Sequence, residues 1–329
     1  MLLSRRGLVA LLVAGSIVGS SAVSTRPVMA DEWPSKPIKM IVPFPAGGGL
    51  DFVARLVAQR LSARLAQTVY VENRGGANGA IGLQALKQSE PDGYTIVATS
   101  DTPLVVNPFL MPKMNYRPLD EFTAVASLVR FPSLIVASPS ANIRSVPELI
   151  AAAKAKPDGV SYASGGLGNF SHLSMELFAA QSGIKMLHVP YRGSGPASVA
   201  LLAGEVDVGI NNVQVTLQNI LAGKLVPVAV GEPERMSVLP DVPTIAESIP
   251  GFRVTSWAGI VAPGKAPGPI IEKLSKAVLA VMAEPEITEK LNAQQIIPFP
   301  LDQAAFHELI KSDSERWAAF IKASNLSIE

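Results

Sequence analysis

Three consecutive glycines hold the most chemical promise in this chain. They sit in Pro43-Phe44-Pro45-Ala46-Gly47-Gly48-Gly49-Leu50-Asp51, between a mostly apolar run, Ile38 to Val42, and a helical pattern, Phe52 to Leu65. Each proline biases the residue before it away from helical angles, which ends a strand. The glycines let the backbone turn sharply and leave its N–H groups open to close approach. A helix start follows, with unsatisfied N–H donors and a partial positive charge. Strand, glycine loop and helix start together suit an anion. A tight βα turn with no ligand would use the same residues, so the rest of the chain has to decide.

The same design recurs. Ser164-Gly165-Gly166-Leu167-Gly168-Asn169-Phe170-Ser171-His172 follows a strand-like run and opens another helix, and Tyr191-Arg192-Gly193-Ser194-Gly195-Pro196 leads into a third. Thr99-Ser100-Asp101-Thr102 ends a strand with side chains that suit an N-cap or a ligand, and Asn211-Asn212 ends one more. Arg74 and Arg192 are the clear cations in these loops. An anion held here would rest on backbone N–H groups, hydroxyls, amides and water, which favours small carboxylates over polyphosphates.

Other chemistries find less support. His172, His188 and His307 are far apart in sequence, there is no His-Glu-x-x-His and no cysteine, so no metal is expected. Gly193-Ser194-Gly195 lacks the spacing of a nucleophile elbow, and no histidine is placed in sequence to suggest a partner. Asp51 could be imagined as a general base, but in a first helical turn a carboxylate more commonly offsets the dipole and binds loop N–H groups. His172, one turn into its helix, fits either packing or a ligand-facing role. Gly166 to Ser171 has part of a dinucleotide fingerprint, yet its third small position is serine and no acid ends the next strand, where Val189-Pro190-Tyr191 stands. This leaves an exported nucleotide-dependent enzyme as the alternative to a binding protein.

Export itself is read from residues 1–30. Arg5 and Arg6 precede an apolar core, Gly7 to Gly19, too short to span a bilayer, and Val28-Met29-Ala30 offers small-residue cleavage before Asp31. Ser4-Arg5-Arg6-Gly7-Leu8 half resembles a twin-arginine signal; ordinary secretion is the favoured route. With no cysteine, the exported protein has neither disulfides nor a lipidated junction, which points to an untethered protein in a Gram-negative periplasm. The leader holds three of the 28 basic residues and none of the 27 acidic ones, so the remaining chain carries a formal −2. That charge offers no electrostatic footprint for nucleic acid.

The elements that must position these loops alternate in kind. After the first unit come a buried strand (Val69 to Glu72), a second glycine-rich link (Arg74 to Gly82) into a helix ending near Lys87, and a strand from Tyr94 to Ala98. This βα alternation over short links indicates a parallel sheet. Phe122 to Val129 and Ser133 to Ala137 then follow each other with no helix between, which we read as the chain leaving one lobe for another. Ser145-Val146-Pro147-Glu148 is a capping box opening a helix. Strands at Val160 to Ala163, Met186 to Val189, Val206 to Ile210 and Val226 to Val230 make a second doubly wound sheet. Phe252 to Ala262 reads as a return strand, and the helices after Pro267 should pack back on the first lobe. The expected fold is α/β, with two doubly wound sheets, a two-strand hinge and the ligand cleft between. Its units are 31–130 (lobe 1), 131–250 (lobe 2) and 251–329 (return to lobe 1).

Several segments, in order, resemble one family. They are Val42 to Gly49 with Asp51, Ala54 and Arg55; Val71-Glu72-Asn73-Arg74 with Gly79 and Gly82; and Pro91-Asp92-Gly93-Tyr94-Thr95. Tyr191 to Ala197, Leu202 to Asp207 and Leu239-Pro240-Asp241-Val242-Pro243-Thr244 complete the series. The chain thereby resembles the periplasmic receptors of tripartite tricarboxylate transporters, the Bug receptors. The resemblance implies a type II-like two-lobed binding protein and no catalysis, cofactor or metal. It further implies a monomer that closes on a small carboxylate and delivers it to a permease of one large and one small membrane subunit, or reports it to a sensor. It places the ligand against Phe44, Pro45, Ala46, Gly47, Gly48, Gly49 and Asp51, with Ser100, Asp101 and Thr102 nearby. On the second lobe it points to Ser164, Gly165, Gly168, Asn169, His172, Tyr191, Gly193, Ser194 and Asn211. Many relatives carry a small hydroxyl residue where this chain has Leu50, and more Ser and Thr than Gly168-Asn169-Phe170. Those departures leave room for a more apolar acid than a tricarboxylate.

Placing a like charge at the first loop tests the anion reading. Gly48→Asp should abolish carboxylate binding in calorimetry while the circular dichroism of the fold is unchanged; retained affinity would move the site elsewhere.

Overall fold

In a computed structural model, residues 33–111, 114, 116–324 and 326 are described. The expected leader, 1–30, lies outside the described residues. β1 (Ile38–Val42) opens the fold. Successive strand side chains point to opposite faces, so Ile38, Met40 and Val42 enter one hydrophobic layer and Ile41 the other. α1 (Gly49–Leu65) covers the first face. It starts at Gly49, ahead of the Phe52 expected from periodicity, because Leu50 already belongs to the buried stripe. β2 (Val69–Asn73) was expected to be buried but is an edge strand with Tyr70 exposed.

α2 (Ala80–Lys87) and β3 (Thr95–Ser100) follow. Three one-turn helices, α3 (Thr102–Val105), α4 (Asn107–Leu110) and α5 (Pro118–Glu121), lead to β4 (Phe122–Phe131). Pro132 separates it from β5 (Ser133–Ala137), the first strand of the second sheet. α6 (Val146–Ala155) is capped by Ser145, whose Oγ accepts from Glu148 N at 3.3 Å. The expected capping box is only half formed, since Glu148 accepts from the Arg144 N–H instead. β6 (Ser161–Ser164), α7 (Phe170–Ser182), β7 (Leu187–Pro190), α8 (Ser194–Ala203) and β8 (Val208–Asn212) alternate as expected. α9 (Val213–Leu221), β9 (Val226–Val230) and α10 (Ile245–Ser248) close the second lobe.

The chain returns through β10 (Ser256–Pro263). The expected strand began at Phe252, but Phe252 and Val254 are buried as a non-strand crossing. α11 (Gly268–Met282), α12 (Pro285–Ala293), β11 (Ile297–Pro298) and α13 (Gln303–Ser324) finish the fold. β11, a two-residue strand, is too short to leave a periodic signal in sequence.

Among the described residues the strands form two sheets, ordered β11-β4-β10-β3-β1-β2 and β7-β6-β8-β5-β9. β1, β2 and β3 pair in parallel as the βα alternation implies, and so do β7, β6 and β8, but both sheets are mixed: β10 is antiparallel to β3 and β4, and β5 to β8 and β9. These are the strands by which the chain enters one lobe from the other, without the crossover helix that makes neighbours parallel. α1 and α11 cover one face of the first sheet through Val53, Leu61, Ile270, Leu274 and Val278. α2 and α13 cover the other through Leu83, Leu86, Trp317 and Ile321. Burying such a side chain contributes roughly 1.5–3 kcal/mol. The last helices do pack on the first lobe, α11 on α1 and β4, α13 on β4, α3 and α4.

The crossings between lobes are knit at one point. Gly231 N donates to Ser133 O at 2.8 Å, Val254 N to Gly231 O at 3.3 Å, and Ser133 Oγ to Val254 O at 3.1 Å. Beside them Arg130 of β4 faces the buried Glu232 at 3.6 Å, and burial pushes that carboxyl up despite the guanidinium. A Cβ on Gly231 would lie 2.7 Å from both Ser133 Oγ and Val254 O. Gly231→Ala should therefore cost about 1–3 kcal/mol through overpacking, read by urea denaturation. A variant as stable as the parent would show that the crossings are loosely packed.

Candidate functional site

The first glycine loop is built around Asp51. Its Oδ2 accepts from Gly47 N at 3.0 Å and Arg55 Nε at 3.0 Å, and its Oδ1 from Asn73 Nδ2 at 2.9 Å. Asn73 also donates to Phe44 O at 3.0 Å and accepts from Arg55 Nη2 at 2.8 Å. Burial alone would raise the Asp51 carboxyl, but Arg55, the Gly47 N–H and Asn73 outweigh it and hold the pKa below the ordinary 3.8. Asp51 thus braces the loop, the structural role expected of it, and its oxygens are engaged by protein donors. Pro45, Ala46, Gly47 and Gly48 are exposed above it, and Phe44 is half-buried near Gly79. Gly47 has φ +86°, a conformation suited to glycine.

The second loop has the same sequence design but different bonding. Gly165 N donates to Ser171 Oγ at 3.0 Å, Gly166 N to Ser164 Oγ at 3.2 Å and Gly168 N to His172 Nδ1 at 3.0 Å. Asn169 caps α7, its Oδ1 accepting from His172 N at 3.0 Å. Ser164 and His172 are buried, and Ser164 Oγ lies 2.6 Å from His188 Nε2. The histidines that are distant in sequence meet here: His172 stacks on His188 at 4.1 Å, and His188 on Tyr162 at 4.8 Å. Burial lowers both histidines to about 4, with each kept neutral, which leaves His172 Nδ1 free to accept. His172 serves the underside of the loop. No metal-holding cluster occurs among the described residues.

Tyr191 N donates to Ser164 O at 2.9 Å and Gly193 N to Gly165 O at 3.0 Å, so the third loop lies against the second. Ser194 opens α8 exposed, while Asn211 is buried at the end of β8. In the first lobe Ser100 is half-buried, and Asp101 and Thr102 are buried at the start of α3. Two further residues, not singled out from sequence, cross between lobes. Asn78 Nδ2 donates to Leu167 O at 3.4 Å, and the Gln214 side chain of α9 lies against Gly49. The signal for Gln214 was faint: one amide in the first turn of a helix after Asn211-Asn212.

Side-chain capping separates the helices. Asp101, Ser145, Asn169 and Thr244 cap α3, α6, α7 and α10, whereas α1, α2, α4, α5, α8, α9, α11 and α12 begin without a side-chain cap. The uncapped starts of α1 and α9 meet at the Gly49–Gln214 contact. At α9 the first N–H, of Val213, already donates to Pro132 O at 2.8 Å, so the open donors are chiefly those of the first turn of α1, which suit an anion held without a cation.

A family model described as the tripartite tricarboxylate transporter family receptor matches residues 53–326. The chain belongs to that family. It is 35% identical over 321 residues to protein BugT of Bordetella pertussis, covering 97% of this chain and 98% of BugT. It is similar to a Rhodopseudomonas palustris structure with adipate, at TM-score 0.81 and 31% identity, covering 90% of this chain and all of that one. MatC from the same organism, with bound malate, gives TM-score 0.77 and 30% identity over 87% of this chain and 99% of MatC.

The family is one of solute-binding receptors and not of enzymes, which sets the nucleotide-dependent alternative aside. The geometry agrees, since the partial dinucleotide loop has its Gly166 and Gly168 N–H groups bonded from within. The two family departures also change meaning. Leu50 is 8% exposed and turned into the first-lobe core, and Phe170 packs against a buried cluster. Their chemistry is that of core packing, so they give no reason to expect an apolar ligand. A groove of about 650 Å³ at the hinge, lined by Arg130 and Glu232, and one of about 770 Å³ between α11 and α13 do not touch the glycine loops.

Asp101 carries a pH signature. Burial, with Asp313 nearby, pushes its carboxyl up to about 7 from 3.8, although Thr102 N (2.8 Å) and Ser256 Oγ (3.1 Å) donate to it. The folded state holds this proton where the unfolded chain has lost it, so its contribution falls as pH rises from about 4 to about 7. Asn keeps the acceptor oxygen. The melting temperature of Asp101→Asn relative to the parent should climb across that window and stay level above it; parallel pH profiles would contradict the burial cost.

Proposed function

We propose that this protein is an extracytoplasmic receptor that closes its two lobes on a small carboxylate and presents it to a tripartite tricarboxylate-type permease of one large and one small membrane subunit. The observation that carries this reading is the uncapped start of α1, facing an uncapped helix of the other lobe, in a member of a transporter-receptor family. Adipate and malate in structures similar to this one supply the ligand class. The cleft residues of the first lobe are Phe44 to Gly49, braced by Asp51, with Ser100 nearby. Those of the second are Gly193 and Ser194 at the start of α8, with Tyr191 and Asn211. Asp101, Thr102, Ser164, Gly165, Gly168, Asn169 and His172 act from behind, by holding the loops that the ligand meets.

In this reading residues 1–30 direct export to the periplasm and are removed, 31–130 with 251–329 form one lobe, and 131–250 form the other. Closure rotates the lobes about the Ser133–Gly231–Val254 crossing. The receptor acts as a monomer and uses no cofactor.

Binding should be visible in two independent ways. A carboxylate that fits raises stability by about 2.7 kcal/mol at a hundred times its Kd, and small-angle scattering shows compaction on binding. A panel of mono-, di- and tricarboxylates in which none raises the melting temperature, or in which a bound acid leaves the scattering profile unaltered, would sink this function.

A further inference from the structure

We infer that Gln214 is the second-lobe donor that completes the carboxylate site at the start of α1 and sets its affinity. The inference rests on the receptor function proposed above and adds to it a residue and a role.

Three observations converge on this side chain. Gln214 is the second residue of α9, yet its amide reaches the other lobe: a Cβ built on Gly49 would lie 2.4 Å from Gln214 Nε2 and 3.2 Å from its Oε1. It is half-buried there, and its side-chain amide makes no hydrogen bond to another described residue. On the facing side, α1 has Gly48 as N-cap with no side-chain cap, so the N–H groups of its first turn have no helical partner. Donors from both lobes therefore meet at one point, and a carboxylate is the group that accepts from all of them.

The second loop does not fill this role. Gly165, Gly166 and Gly168 have given their N–H groups to Ser171, Ser164 and His172. Gln214 thus offers what that loop lacks, an unengaged donor from the second lobe placed at the start of α1. A neutral amide completes the anion site without a buried cation, whose desolvation would weigh against it.

Two variants test the inference, using adipate and malate as probes. Gln214→Ala should weaken whichever probe the parent binds by about ten-fold or more, the loss expected when a charged group loses one hydrogen bond. Gln214→Glu has nearly the same shape and carries its own carboxylate to the α1 N-terminus. Without ligand it should be more compact in scattering and melt higher than Gln214→Ala, and it should bind neither probe. Unchanged affinity in Gln214→Ala, or a ligand-free Gln214→Glu no more compact and no more stable than Gln214→Ala, overturns the inference. If the parent binds neither probe, the carboxylate function fails for these acids, while the ligand-free behaviour of Gln214→Glu still decides the role of Gln214.

Discussion

The Asp51 carboxylate is the constraint on which the first lobe depends. Three consecutive glycines would be a costly loop to order, since glycine loses more freedom on folding than any other residue. Asp51 offsets that cost from underneath, by accepting from Gly47 in the loop, Arg55 in α1 and Asn73 in β2. Hydrogen bonds to a charged group are each worth roughly 1.5–3 kcal/mol. The brace binds one loop N–H and leaves the start of α1 uncapped. A rigid loop with open donors follows from where this single carboxylate sits.

The second lobe begins from a similar sequence and reaches the opposite arrangement. Ser164, Ser171 and His172 take the N–H groups of the glycine loop, and Asn169 caps the helix that follows. A column of Tyr162, His188 and His172 supports the loop from inside the lobe, with Tyr162 donating to Glu176 at its far end. The lobes are therefore unequal partners. Both lobes present uncapped helix starts, α1 in the first and α8 and α9 in the second, but only the second seals the N–H groups of its glycine loop from within.

This inequality fits a receptor that must both hold and release its solute. A site made of backbone N–H groups and amides binds an anion with little net charge of its own. The hinge adds a short lever: Ser133, Gly231 and Val254 tie the crossings within a few ångströms, and Arg130 and Glu232 pack beside them.

Much of this was legible in the residues alone, because it is local. Prolines and glycines mark where strands stop, Ser145 and Asn169 stand where helices begin, and the missing helix between β4 and β5 reveals the change of lobe. Each signal needs no more than a turn or two of chain to be read. The direction of β5 and β10, the place of β11, the meeting of His172 with His188 and the reach of Gln214 to Gly49 were decided by tertiary structure. So was the difference between the two glycine loops. A loop's sequence shows how many N–H donors it has, but which of them remain free depends on acceptors brought in by packing, and those lie beyond the reach of a local pattern.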